Sequence, residues 1–252
     1  MMSSHILAIS GNDIFSGGGL HADLTTFAAN KLHGFLAVSC LTALTSNGFE
    51  VIPIDATVVK QQLDSLVDVD FAAIKLGLLP NVEVAEQALH FVQNHKDTPV
   101  VLDPVLVCKE KHDLEVSSLR DELVKFFPYV TIITPNLVEA QLLAQMEIKT
   151  LDDMKAAAKK LHELGAGYVV IKGGSRFDDK EAIDLFYDGK DFTFLRAPIL
   201  GGNNIGAGCT FASSIASKIA KSEPVEEAVR QSKDFVRDAI SHADDYGVNQ
   251  LF

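Results

Sequence analysis

Short apolar runs that do not alternate, each closed by a polar residue or a glycine, constrain this chain more than any other feature. Residues 5–10 (HILAIS), 72–77 (AAIKLG), 99–102 (PVVL), 131–134 (TIIT) and 168–172 (YVVIK) are of this kind. A strand that is apolar on both faces is buried on both faces, as in a parallel sheet lying between helices. Stretches at helical spacing fall between and after these runs, at 58–67, 82–94, 119–127, 151–164, 207–220 and 225–243. Strands alternating with helices predict a three-layer α/β/α fold around a mostly parallel sheet. Asp188-Gly189, between the runs 182–187 and 192–195, adds a small β-hairpin. Residues 35–44 read as one β-prone run, with a turn at 45–48 and an extended piece at 51–55 whose Pro53 suggests a sheet edge. No repeat or linker interrupts the pattern, so residues 1–252 are expected to form a single domain.

Right-handed crossovers bring the carboxyl ends of parallel strands to one edge, where such sheets bind ligands. Asp103 ends one run. Thr134 and Asn136 end the next, with Glu139 one helical turn on, and Lys172 ends another. The same edge is expected to receive Gly201-Gly202-Asn203-Asn204-Ile205-Gly206-Ala207-Gly208-Cys209, a glycine-rich turn running into an apolar helix. Unpaired N–H groups and the positive end of a helix dipole make such a turn an anion site. Cys209 inside it is expected to ionise readily. A second glycine loop, Ser16-Gly17-Gly18-Gly19, follows the first strand. It lacks the dinucleotide pattern GxGxxG, and the chain lacks the Walker A pattern GxxxxGK[ST]. Backbone N–H groups, a lysine and carboxylates able to hold a hydrated divalent cation are the parts of a phosphoryl-transfer site of another architecture. Residues 105–113, polar after Cys108, suit a mobile lid carrying Cys108 and Lys109. The loop at Ser16 and residues 175–181 are the other expected mobile segments.

A net charge of −12 argues against general affinity for nucleic acid or anionic membrane. No apolar run is long enough to span a membrane, and the N-terminus lacks a signal-peptide pattern. The three cysteines, Cys40, Cys108 and Cys209, have no metal-ligand spacing and fit a reducing, cytoplasmic setting, with Cys40 in the core.

The chain resembles the ribokinase-like superfamily. Within it, the resemblance is to the vitamin kinases that include the hydroxymethylpyrimidine/phosphomethylpyrimidine kinases and the bacterial pyridoxal kinases. The resemblance is carried by Gly11-Asn12-Asp13 with Gly17-Gly18-Gly19-Leu20-His21-Ala22-Asp23-Leu24, then Thr42-Ala43-Leu44-Thr45, Ile74-Lys75-Leu76-Gly77 and Asp103-Pro104-Val105. It continues through Thr134-Pro135-Asn136-Leu137-Val138-Glu139-Ala140, Ile171-Lys172-Gly173-Gly174 and Gly206-Ala207-Gly208-Cys209-Thr210. It implies ATP-dependent phosphorylation of a hydroxymethyl group on a six-membered nitrogen heterocycle, and a homodimer. Gly206, Gly208 and Cys209 would form the anion hole, with Cys209 beside the acceptor hydroxyl. Asp103 and Glu139 would organise Mg²⁺, together with Asn136. Lys172, Asn136 and Gly208 would meet ATP, and Gly19, Asp23, Asn47 and Val105 the heterocycle. The pyrimidine kinases usually have glutamine where Asn47 stands, alanine where Cys108 stands and histidine where Ile205 stands. A lid cysteine paired with an anion-hole cysteine is instead similar to the dual-cysteine pyridoxal kinases, and a thiol can add to the pyridoxal aldehyde. The expectation is a pyridoxal/pyridoxine kinase. The alternatives are a hydroxymethylpyrimidine (phosphate) kinase and, remotely, a non-catalytic vitamin-binding protein.

Overall fold

The structure, a computed structural model, describes residues 5–106 and 113–251. The strands are β1 (His5–Ser10), β2 (His33–Val38), β3 (Cys40–Thr45), β4 (Gly48–Pro53), β5 (Ala73–Leu76), β6 (Val100–Leu102), β7 (Ile132–Ile133), β8 (Tyr168–Lys172), β9 (Glu181–Tyr187) and β10 (Phe192–Pro198). The helices are α1 (Gly19–Ala29), α2 (Ala56–Asp64), α3 (Val82–Asn94), α4 (Asp113–Val124), α5 (Leu137–Ala144), α6 (Leu151–Glu163), α7 (Ala207–Ala220) and α8 (Val225–Ser241). One eight-stranded sheet has the order β10-β9-β8-β7-β6-β5-β1-β2. Its pairings from β2 through to β8 are parallel, while β9 and β10 are antiparallel.

Alternate residues of the apolar strands feed two cores, which is why those strands do not alternate in polarity. Leu7, Ile9, Ile74, Leu76, Val100, Leu102, Val169 and Ile171 pack with α2, α3, α4, α5 and α6 on one face. Ile6, Ala8, Ala73, Val101, Ile132 and Val170 pack with α1, α7 and α8 on the other. This is the three-layer α/β/α architecture that the sequence predicts.

Two details differ. The 182–195 hairpin is present as β9–β10, but it extends the main sheet. The separate two-stranded sheet is β3–β4, within the residues expected to form one run and a short piece. Ser39 breaks that run: its N–H donates to the Ser10 carbonyl, and its carbonyl accepts from Ile54. Asn47-Gly48, with Gly48 at φ 113°, then turns the chain back on itself, a turn that favours glycine. Of the segments expected to be mobile, the loop at Ser16 is tied by Asp13, whose carboxylate accepts from the Phe15 and Gly18 N–H groups. Asp178 similarly holds the N–H groups of Lys180 and Glu181. The expected lid residues Cys108 and Lys109 lie outside the described residues.

Candidate active site

The carboxyl edge of the sheet gathers the strand-end residues as the topology requires. Asp103, just beyond β6, is buried, and its Oδ1 lies 2.8 Å from Lys172 Nζ at the end of β8. Thr134 Oγ1 donates to the same oxygen at 3.3 Å. Asn136 bridges to Lys172 in parallel fashion and caps α5. Its Oδ1 accepts from the Glu139 N–H at 2.9 Å, while Glu139 Oε2 accepts from the Asn136 N–H at 2.8 Å. This reciprocal capping box fixes the Glu139 carboxylate at the sheet edge. Burial pushes the Glu139 pKa up to about 7; Lys172 pulls against this and the Asp103 carboxylate adds to it. The Lys172 ammonium is held above its ordinary range by Asp103 and Glu139, in spite of burial.

Two glycine loops close over this edge. α7 starts at Gly206, at φ 83° with no side-chain cap. A β-carbon at Gly206 would stand 1.6 Å from the Gly17 carbonyl oxygen, so the two loops touch backbone to backbone. Gly208 follows within the first turn, and a β-carbon there would meet Lys172 Nζ at 3.3 Å and Asp103 Oδ2 at 4.0 Å. Lys172 and Asp103 therefore stand against the N-terminus of α7. Cys209 comes next and is half-buried. Its sulfur lies 3.8 Å from where a β-carbon at Gly18 would be, and the Gly19 N–H donates to it. Gly19, at φ 55°, is packed on the Gly11 carbonyl, and a β-carbon there would fall 2.4 Å from that oxygen. The segment 244–250 clamps both loops. Val248 N–H donates to the Ile205 carbonyl, Asn203 Nδ2 donates to the Asp244 and Asp245 carbonyls, and Gln250 Nε2 donates to the buried Thr210 Oγ1 at 2.9 Å.

A cavity of about 640 Å³ opens beside this seam. Its walls include Asn136, Lys172, Gly208, Arg176, Lys233 and Arg237, so in an acidic chain it carries a local excess of positive charge. Asp184 on β9 organises its floor, accepting from the Gly173 and Gly174 N–H groups and pairing with Lys233 at 2.5 Å.

Gly19, Asp103, Asn136, Glu139, Lys172, Gly206, Gly208 and Cys209 are thus brought to one region, and Val105 follows Asp103 closely, its N–H donating to the Asp103 carbonyl. Asp23 is fully buried, 2.8 Å from the equally buried Lys75, because the inward side of α1 packs on β5 through α7. Asn47 is exposed at the β3–β4 turn, its Nδ2 donating to Glu50. One expectation is corrected: Cys209 does not ionise readily, because burial pushes its thiol up to about 11, although Lys75 and the Gly19 N–H favour the thiolate. Cys108 lies outside the described residues. Ser213, Asp184, Lys233 and the clamp at 244–250 escape a reading by motif. Lys75 stands within the motif Ile74-Lys75-Leu76-Gly77 but receives no role from it; its own signal is a lone charge inside an otherwise apolar strand.

The carboxylates Asp103 and Glu139, the first raising the cost of charge on the second, fit a divalent cation. Among the described residues, no cluster of three or more His, Cys, Asp or Glu side chains is placed to hold a metal alone. Mg²⁺ takes one or two protein carboxylates and completes its shell with waters and phosphates, and Asp103 and Glu139 are of the kind and number it uses.

The family model described as phosphomethylpyrimidine kinase matches residues 13–251. The chain is 38% identical to the pyridoxine kinase of Bacillus subtilis over 253 residues, covering 96% of this chain and 92% of that one. It is 37% identical to the hydroxymethylpyrimidine/phosphomethylpyrimidine kinase of Aquifex aeolicus over 251 residues, covering 96% of each. Its fold is similar to that of the Staphylococcus aureus pyridoxal kinase in complex with AMP-PCP and pyridoxal, with a TM-score of 0.89 at 31% identity over 98% of this chain and 93% of that one. A ribokinase-like sheet, matched nearly end to end by named kinases, leaves one assignment: the chain belongs to the phosphomethylpyrimidine kinase family and is a kinase.

Proposed function

We propose that the protein acts as one kinase domain that transfers the γ-phosphoryl group of ATP to the hydroxymethyl group of pyridoxal or pyridoxine, giving the 5′-phosphate. The observation that carries this reading is the convergence of Lys172, Asp103 and the uncapped N-terminus of α7 beside a thiol and a positively lined cavity. The cavity takes the nucleotide, with Lys172 and the Gly208 and Cys209 N–H groups toward the phosphates. Asp103 and Glu139 are the residues that would hold Mg²⁺. When bound, that ion neutralises charge between the two oxygens that exchange the phosphoryl group. The chain's own work is alignment. Lys172 and the α7 N-terminus stabilise charge on the group in flight, and the backbone seam of Gly17–Gly19 with Gly206–Cys209 excludes water and fixes the acceptor. A loose transition state needs little help from a base, so a Cys209 thiol protonated at neutral pH is compatible with the role.

The preference for vitamin B6 rests on thiol chemistry. An aldehyde adds a thiol to give a hemithioacetal, and a pyrimidine alcohol offers no such carbon. This chain has Cys209 in the site and Cys108 in the segment after Asp103. The second reading, a hydroxymethylpyrimidine (phosphate) kinase, is favoured by the family description and the Aquifex relative. A side-by-side kinetic comparison of pyridoxal, pyridoxine and the pyrimidine alcohol decides between them; activity on the pyrimidine alone rejects the first. Cys209→Ala is expected to abolish a thiol-dependent shift in pyridoxal absorbance, and an unchanged shift counts against an adduct at that residue.

Leu41, Leu44, Phe49 and Ile52 stand exposed on β3–β4, a two-stranded sheet too small to be stable alone. The pairs Leu41–Ile52 and Leu44–Phe49 lie on opposite faces of that ribbon, and apolar residues exposed on both faces support a homodimer in which the ribbon is enclosed. Among the described residues, no helix is long and apolar enough to cross a membrane. A place in the cytoplasm fits free thiols and an ATP supply.

A further inference from the structure

Behind Cys209 lies a charge pair to which the chemistry above gives no part. Lys75 and Asp23 are both fully buried, with Nζ 2.8 Å from Oδ1. That oxygen also accepts from Ser213 Oγ at 2.6 Å. Ser213 lies one helical turn beyond Cys209 on the same face of α7, and Ser217, a turn further, donates to the Ser213 carbonyl at 2.7 Å. One carboxylate thus joins β5, α1 and α7 below the anion hole. The pair is sparsely bonded: among the described residues, Asp23 Oδ2 has no hydrogen-bond partner, and Asp23 is the one ion-pair partner of an ammonium that has three N–H groups. A β-carbon at Gly77, just past β5, would fall 2.7 Å from Lys75 Nζ and 2.2 Å from Ser10 Oγ. The ammonium therefore sits at the carboxyl end of β5, on the edge that carries the site. Replacing a buried ion pair by apolar residues of the same volume is often neutral or stabilising, so stability alone does not account for burying two charges here.

The charged groups around Cys209 come from several elements. Lys75 on β5 favours the thiolate; Asp23 on α1 and Asp103 beyond β6 oppose it. Lys172 at the end of β8 also feels the Cys209 charge. The Gly19 N–H supplies one donor.

We propose that Lys75 is a positioning residue for phosphoryl transfer: anchored by Asp23 and Ser213, its ammonium is the fixed positive charge behind Cys209 and the α7 N-terminus. It makes negative charge tolerable where the acceptor and the phosphoryl group meet. The proposal rests on the reading that Cys209 adjoins the acceptor hydroxyl.

The test uses the full-length protein and three variants: Lys75→Met, Asp23→Asn and the double Lys75→Met/Asp23→Leu. Iodoacetamide labelling of Cys209, followed by mass spectrometry of its peptide, is measured at a fixed pH well below the thiol midpoint. Asp23→Asn is expected to speed labelling and Lys75→Met to slow it, each by about threefold per unit of pKa change, since nucleophilicity offsets part of the change in thiolate fraction. General loosening of the fold would speed labelling in both. In parallel, Lys75→Met is expected to lose about tenfold or more in kcat with KM for ATP within about twofold, as for a charge felt mainly in the transition state. Should Lys75→Met fail to fold, the double variant carries the test, because it leaves no unpaired buried charge. Shifts of the same sign in the two single variants, unchanged labelling, or wild-type kcat in a folded double variant overturns the proposal. The labelling arm needs no substrate, so its failure is distinguishable from failure of the kinase reading.

Discussion

Two lysines mark the ends of the site's electrostatic axis, and they call for different experiments. Lys172 is half-buried and lines the cavity, with one face toward Asp103 and the other toward Gly208. Lys172→Ala is expected to lower kcat/KM for ATP by about 10²–10³ while leaving vitamin binding nearly intact, as for the loss of one preorganised donor. Steady-state kinetics beside calorimetric vitamin binding checks this, and equal losses in both would refute the role. Cys209 gives the pH test. Its folded-state pKa, pushed to about 11, lies above the ordinary thiol value of 9.0. Alkylation of the free protein at Cys209 should therefore be slow at neutral pH and rise with pH up to that midpoint; a plateau near neutral pH would show a thiolate already formed. The strand-end residues Asp103, Asn136, Glu139 and Lys172 were legible because a polar residue that ends an apolar run has only one edge to occupy. The pairing of Asp23 with Lys75 was not legible, because a motif does not say which side of α1 turns inward. Cys209 was misread because the helix dipole was weighed without the desolvation that a backbone-on-backbone seam imposes.

At the scale of elements, the opening of α7 separates packing from chemistry in two glycines. Gly206→Ala faces both a left-handed φ of 83° and a β-carbon 1.6 Å from the Gly17 oxygen. It should cost more than the ~1–3 kcal/mol of backbone strain alone, because the first glycine loop must also move, and activity should fall with stability. Gly208 is helical and its β-carbon would touch only Lys172 Nζ at 3.3 Å and Asp103 Oδ2 at 4.0 Å. Gly208→Ala should hold or raise stability by about 0.5–1 kcal/mol, yet lower kcat by filling the space in front of Lys172. Thermal melts paired with turnover distinguish the two; parallel losses in both variants would remove Gly208 from the site. The strands of the central sheet were legible from their polarity. The split of residues 35–44 was not, because the bonds of Ser39 to Ser10 and Ile54 are tertiary. The Asn47-Gly48 signal was present, but a turn is a hairpin only when its two arms pair.

For the whole molecule, the exposed apolar residues of β3–β4 carry the assembly prediction. Leu44, paired with Phe49, is 65% exposed, and Ile52, paired with Leu41 on the opposite face of the ribbon, is 45% exposed. Leu44→Glu with Ile52→Glu should convert a dimer to monomers in sedimentation equilibrium, with the fold kept by circular dichroism; an unchanged mass would place the interface elsewhere. The resemblance implied a homodimer, but no stretch of sequence marked the surface, because exposed apolar residues announce themselves only once the fold has buried the others.

The seam between the two glycine loops has a kinetic consequence. Beneath it, Ser213 meets Asp23 across 190 positions of the chain. Contacts of such long range form late, since the loop they close must be ordered first. The anion hole therefore has no local precursor. During refolding from denaturant, helix signal should return before turnover, and turnover should appear only in the slowest phase. Activity is thus a sensor of the last event in folding, and a partly folded chain is catalytically silent.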